Sequence, residues 1–142
     1  MDEYQVSSIK FDRNFFRPLQ EQIIAYFEGA YVEFSPDVPI TLDGFSPFGS
    51  SVLCACHRVR FGQVVSYSAL AGKIGQPTAV RAVGNALAKN PMPLIIPCHR
   101  VVCADGKIGG FSAPGGNKMK KRLLELERES LSAGEGDAIV LL

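Results

Sequence analysis

Apolar positions in the first third of the chain fall into one helical run. After Arg17-Pro18, residues Leu19, Ile23, Ile24 and Phe27 recur at i, i+4, i+5 and i+8, one face of a helix that Gly29 would stop. Residues 31–34 read as a short strand, followed by a Pro- and Asp-rich loop to Gly44. Ser46-Pro47 is a helix start, because Ser can cap free N–H groups and Pro tolerates the first helical position. Phe48, Val52, Leu53, Cys56 and Val59 then form a buried stripe that ends near Gly62. Residues 63–65 make a brief extended link, and Ser66 caps a short helix over 67–73. A turn at Gly75-Gln76-Pro77 leads to Thr78, which caps a helix running to about Lys89 before Asn90-Pro91 ends it. Two short helices around a Gly-containing turn make a helix-turn-helix candidate. The second has Val80, Val83 and Leu87 as its core face. Ala79, Ala82, Gly84 and Ala86 keep its remaining surface thin, with Arg81 the one long side chain near its start. Such a helix suits a DNA groove, or simply tight packing against a neighbour. The final helix, about 117–131, places Met119, Leu123, Leu124 and Leu131 inward. Glu127 falls on the same stripe, where a carboxylate is costly unless it is paired or hydrogen-bonded.

Composition sharpens this picture mainly by exclusion. The 142 residues, 46% hydrophobic and 20% charged, suit one globular domain or a domain with a fragment, not a disordered, collagen-like or coiled-coil chain. No apolar run approaches the roughly 20 residues of a membrane-spanning helix, and MDEYQVSSIK lacks the apolar core of a signal peptide. Cysteines at 54, 56, 98 and 103 follow no secreted disulfide framework, so a reducing cytoplasm is expected, or a nucleus in a eukaryotic source. Residues 1–50 carry three basic and eight acidic side chains, whereas 51–122 hold eleven Lys or Arg against the single acid Asp105. A basic segment of this kind either meets a polyanion or is a solvated face without a partner.

The densest chemistry lies in residues 90–102, Asn-Pro-Met-Pro-Leu-Ile-Ile-Pro-Cys-His-Arg-Val-Val. Three prolines and branched apolar residues build a rigid approach to Cys98 and His99. Adjacent Cys and His supply a nucleophile and a base, although sequence neighbours often point apart. Glu127 could orient His99 and stabilise its cation, and such a set would lower the thiol pKa and populate thiolate. The alternative is a buried structural cysteine beside a satisfied core histidine. Cys54, Cys56 and His57 could be read as metal ligands, but helix residues two apart diverge by about 200°; no metal is expected.

Pro97-Cys98-His99-Arg100-Val101, with Asn90-Pro91 before it and Ser66-Tyr67 and Arg81-Ala82-Val83-Gly84 upstream, resembles the O6-alkylguanine-DNA alkyltransferases. These are the methylated-DNA–protein-cysteine methyltransferases, and the resemblance runs from about Ser46 to Leu131. It implies an α/β protein: a mainly helical, winged-helix-like DNA-binding and active-site domain over 46–132, a reduced N-terminal α/β segment over 1–45 and a tail over 133–142. The implied activity is DNA repair by direct damage reversal, a single irreversible transfer of the alkyl group from flipped-out O6-alkylguanine to Cys98. His99 would deprotonate Cys98 through a water, held by Glu127, with Asn90 bracing the turn between recognition helix and active-site loop. Tyr67 would serve guanine N3. Arg81 would replace the extruded nucleotide, on a DNA-binding surface that includes Ala79, Ala82, Gly84, Tyr67 and Lys89. Ser112 would donate toward O6, Pro93 and Phe111 would flank the base, and carbonyls at Cys98 and Val101 would read its amine. No cofactor is implied. The expected partner is double-stranded DNA containing O6-alkylguanine, bound by a monomer with no membrane association.

Three features depart from the family pattern: the short N-terminal segment, Phe111 where Tyr is frequent, and an apparent insertion at Ala113-Pro114. A non-catalytic alkyltransferase-like lesion binder is the main rival reading. Those proteins resemble this sequence but lack the cysteine. An ordinary thiol hydrolase would share the Cys–His logic without explaining Arg81, Tyr67 and the basic segment.

Overall fold

The computed structural model describes residues 13–34, 40–110 and 115–133. Phe111, Ser112, Ala113-Pro114 and most of the tail lie outside the described residues.

The elements are α1 (Arg13–Phe27), α2 (Pro47–His57), β1 (Val65–Ser66), α3 (Tyr67–Lys73), α4 (Val80–Leu87), a 3-10 turn (Cys98–Arg100), β2 (Val101–Val102) and α5 (Gly116–Ala133). β1 and β2 pair in parallel, Val65 opposite Val101 and Ser66 opposite Val102. Parallel strands require a crossover, and here α3 and α4 supply it. The result is a mainly helical α/β fold with a minimal ladder, in agreement with the expected class. Both serine caps form: Ser46 Oγ accepts from the Gly49 N–H at 3.0 Å and Ser66 Oγ from the Ala69 N–H at 3.0 Å.

Several local expectations are corrected. α1 begins before Pro18 and carries it in its second turn, at the cost of one backbone bond. Its buried position is Tyr26, fully enclosed, whereas Ile24 and Phe27 are 59% and 52% exposed. The stripe therefore follows i+7 from Leu19 rather than i+8. Among the described residues, 31–34 have no ladder partner. Thr78 does not cap α4, which starts from Ala79 with no side-chain cap bond. The helix is rotated so that Val83, Ala86 and Leu87 face inward, which leaves Val80 exposed and removes Ala86 from the thin outer surface. On α5, Met119 is exposed, and the buried set is Lys120, Leu123, Leu126, Glu127 and Ser130.

Two apolar cores result. The larger joins α2, α3 and α4 through Val52, Leu53, Leu70, Val83 and Leu87 and reaches Ile96, Cys98 and Val101. The smaller holds Tyr26, Val32, Phe61, Leu123 and Leu126 between α1 and α5.

Candidate active site

The segment before Cys98 is held by backbone and amide bonds that its prolines cannot make. Asn90 Nδ2 donates to the Ile96 carbonyl at 2.8 Å, and Asn90 Oδ1 accepts from the Met92 N–H at 2.9 Å. Leu94, between them, takes a left-handed φ of 78°, a strained setting for a branched residue. The chain then enters the 3-10 turn, where Cys98, His99 and Arg100 are all buried. Val101 follows in β2, so the ladder with Val65 fixes the turn's exit.

Glu127 is the centre of the polar interior, only 1% exposed. Its Oε2 accepts from Tyr26 Oη at 2.6 Å, from His99 Nε2 at 2.6 Å and from Arg100 Nη2 at 3.0 Å. Its Oε1 accepts from Arg100 Nε at 2.9 Å and from the Gly62 N–H at 3.1 Å. Arg100 also donates to the Val59 carbonyl at 2.8 Å and lies 5.7 Å from the Phe61 ring centroid. The two-pronged guanidinium–carboxylate contact is the strong form of such a pair. Gly62 is required here: its φ is +79° and a Cβ would collide with Leu131.

Protonation follows from these contacts. Burial penalises the Glu127 charge, but hydrogen bonds from His99 and Arg100 and their charges outweigh it and hold the carboxyl at about 2. Burial, followed by the Glu127 charge, raises the Tyr26 phenol well above its ordinary value, so Tyr26 is a fixed donor. Burial lowers the His99 pKa despite the pull of Glu127, with Arg100 and Lys120 adding to the decrease. His99 is therefore neutral, with Nε2–H on the carboxylate. Its Nδ1 is buried without a hydrogen-bond partner among the described residues. That nitrogen is a base facing the interior. Cys98 differs from expectation: burial raises its thiol pKa, and the Asn90 hydrogen bond and the Lys120 charge offset this only in part. At rest the group is a thiol, not a standing thiolate.

Tyr67 stands at the start of α3, half-buried, its hydroxyl 3.4 Å from the Gly110 carbonyl. Lys120 Nζ donates to Tyr67 Oη at 3.3 Å and to the Gly110 carbonyl at 3.1 Å. Gly109, at φ +77°, leaves room for this arrangement, since a Cβ there would lie 3.0 Å from the Tyr67 ring. Arg81, Ala82 and Lys89 are exposed along or just after α4, with Ala79 and Gly84 half-covered. Pro93 is exposed in the loop before Cys98. Phe111 and Ser112 lie outside the described residues. A groove of about 650 Å³ runs between α5 and residues 62–66 and 102–108; Gly62 and Glu127 line it, but neither Cys98 nor Tyr67 does.

The structure thus joins His99 to Glu127 and adds three groups that the sequence reading passed over. Lys120 and Glu127 are seven apart on α5 with Leu123 between, the same helical test that singled out Glu127. Arg100 stood in the motif but without a role. Tyr26 carried only its place on an amphipathic helix.

The model of the 6-O-methylguanine DNA methyltransferase DNA-binding domain matches residues 47–129. A methylated-DNA–protein-cysteine methyltransferase from Methanosarcina barkeri is 39% identical over 120 residues, 84% of this chain and 73% of that protein. The crystal structure of Mycobacterium tuberculosis OGT in complex with DNA superposes with a TM-score of 0.73 at 38% identity, covering 81% of this chain and 68% of that one. S. pombe Atl1, solved with damaged DNA containing O6-carboxymethylguanine, aligns with a TM-score of 0.52 at 29% identity, over 63% of this chain and 80% of that one.

Proposed function

Because the chain belongs to the 6-O-methylguanine DNA methyltransferase family, we infer that it repairs O6-alkylguanine in DNA by moving the alkyl group onto Cys98. The observation that carries this reading is the buried Cys98 thiol, next in sequence to a neutral His99 whose Nε2 is tied to Glu127 and whose Nδ1 has no hydrogen-bond partner among the described residues. The Cys98 proton passes to Nδ1 through a bridging water. The sulfur–carbon bond forms as the carbon–O6 bond breaks, and the electron pair of the broken bond stays on the guanine. The base gains a proton through Tyr67, balancing the one given up by the thiol. The product thioether has no good leaving group, so each chain reacts once.

An alkyl carbon inside the duplex cannot meet a buried thiol, so the nucleotide must be flipped out at a cost of a few kcal/mol. The exposed start of α4, with Arg81 beside Ala82 and Gly84, suits minor-groove entry and can fill the vacated stack. The basic 51–122 segment supplies phosphate contacts that weaken with salt. The likeness to Atl1 favours a second reading, lesion binding without transfer, against which Cys98 argues. Intact-protein mass after incubation with an O6-methylguanine duplex separates the two. One methyl per chain, absent from Cys98→Ala, is the expected result; lesion-selective binding with no mass change would establish the rival.

A further inference from the structure

Among the donors on Glu127, one comes from outside the family domain match. Tyr26 belongs to α1, 101 residues away in sequence, yet its hydroxyl reaches Glu127 Oε2 at 2.6 Å, as short as the His99 contact to the same atom. The phenol is fully enclosed, with Phe61 edge-on at 5.8 Å and Phe34 at 6.1 Å. Nothing in packing alone demands a hydroxyl there, since a phenyl ring would fill the same space.

We propose that Tyr26 is a positioning residue of the reaction: its hydroxyl holds and tempers the Glu127 carboxylate that holds His99, so α1 is a working part of the active site. A carboxylate offers about four lone-pair sites, and Glu127 meets five donors, three of them on Oε2. Tyr26 and His99 therefore draw on the same electron density. Each unit of it taken by the phenol is unavailable to stabilise a proton on the imidazole. Tyr26 also fixes the carboxylate's rotation, keeping Oε2 toward His99 while Oε1 serves Gly62 and Arg100. The groups facing the imidazole are Glu127 and Lys120 of α5, Arg100 of its own turn, and Tyr26 of α1 acting through Glu127.

Removing the phenol should raise the proton affinity of His99, and strengthening it as a donor should lower that affinity. The chain has only two histidines and four tyrosines, so the His99 imidazole can be titrated by NMR in the full-length protein. In Tyr26→Phe the His99 midpoint should rise by on the order of half a pH unit or more. In a chain carrying 3-fluorotyrosine at position 26 alone, a more acidic and nearly isosteric phenol, the midpoint should fall. The acid limb of the single-turnover alkyl-transfer rate should move with the midpoint in both. A merely structural Tyr26 would lower the melting temperature and leave both midpoints in place; that result, or shifts of the same sign in both proteins, overturns the proposal. If Tyr26→Phe does not fold, the fluorotyrosine titration decides alone. Only the kinetic arm rests on Cys98 being the alkyl acceptor. A wild type that transfers nothing defeats that reading, while the His99 titration still judges Tyr26.

Discussion

Glu127 accepts five hydrogen bonds in a region closed to solvent, whereas Arg81, on the outer face of α4, is exposed to solvent. Both are charged, and both are assigned to the same reaction. The carboxylate works through partners supplied by the fold, so its chemistry and the stability of the protein are one quantity. Under the proposed function the guanidinium meets its partner only when DNA arrives, so its replacement should cost the fold little. Burial decides which kind of charge each one is: inside, an ion must be saturated with donors to exist at all, while outside, water does that at no structural expense.

The contrast is broken most directly at Glu127. In Glu127→Gln the charge is gone, the buried Arg100 loses its counter-ion, and an amide N–H₂ confronts donors. We expect a loss of about 3–5 kcal/mol in urea unfolding, the usual result of halving a buried pair. The alkyl-transfer rate of the remaining folded protein should fall with it. A loss below about 1 kcal/mol would mean that the interior is open to water and that Glu127 resembles a surface charge.

Acid is a gentler version of the same change. Glu127 titrates at about 2 in the folded chain against 4.5 ordinarily, so its stabilising contribution is complete above about 4.5 and is lost as pH falls toward 2. His99 is also lowered by burial. The unfolded chain therefore takes up a proton near 6.5 that the native protein refuses, and stability begins to fall there first. Chemical denaturation followed from pH 8 to 3 should show both windows, the first reduced in His99→Gln to what the half-buried His57, also lowered by burial, contributes. A stability flat from pH 7 to 5 would contradict a neutral, desolvated His99.

Legibility in the sequence follows the same division. Ser46, Ser66 and the bounds of α3 were readable because a cap is decided within three residues. Cys98-His99 was readable as a motif, and Glu127 as a violation, a charge on an apolar stripe. The partners that make the violation tolerable were not, because Tyr26 and Gly62 lie 101 and 65 residues away. Reading α1 as an i+8 stripe exposed the wrong residue, since helical spacing alone does not distinguish Tyr26 from Phe27. The expected thiolate failed for a related reason: the pattern showed a base and an acid near Cys98 but not the depth of burial that outweighs them.

The smallest expected effect on the protein itself is at Arg81, and there the comparison is sharpest. With no buried contact to lose, Arg81→Ala should unfold within about 0.5 kcal/mol of the wild type and keep both acid windows. Free O6-benzylguanine needs no extrusion from a helix, so its transfer to Cys98 should stay within about twofold of the wild-type rate. Transfer from a duplex should slow roughly tenfold or more, on the scale of one lost DNA contact, because nothing then occupies the space left by the flipped nucleotide. Single-turnover rates on the two substrates, measured side by side, isolate that step. Equal slowing on both would place Arg81 in the chemistry and not in the stack, and the separation between an interior built for proton transfer and a surface built for extrusion would then fail.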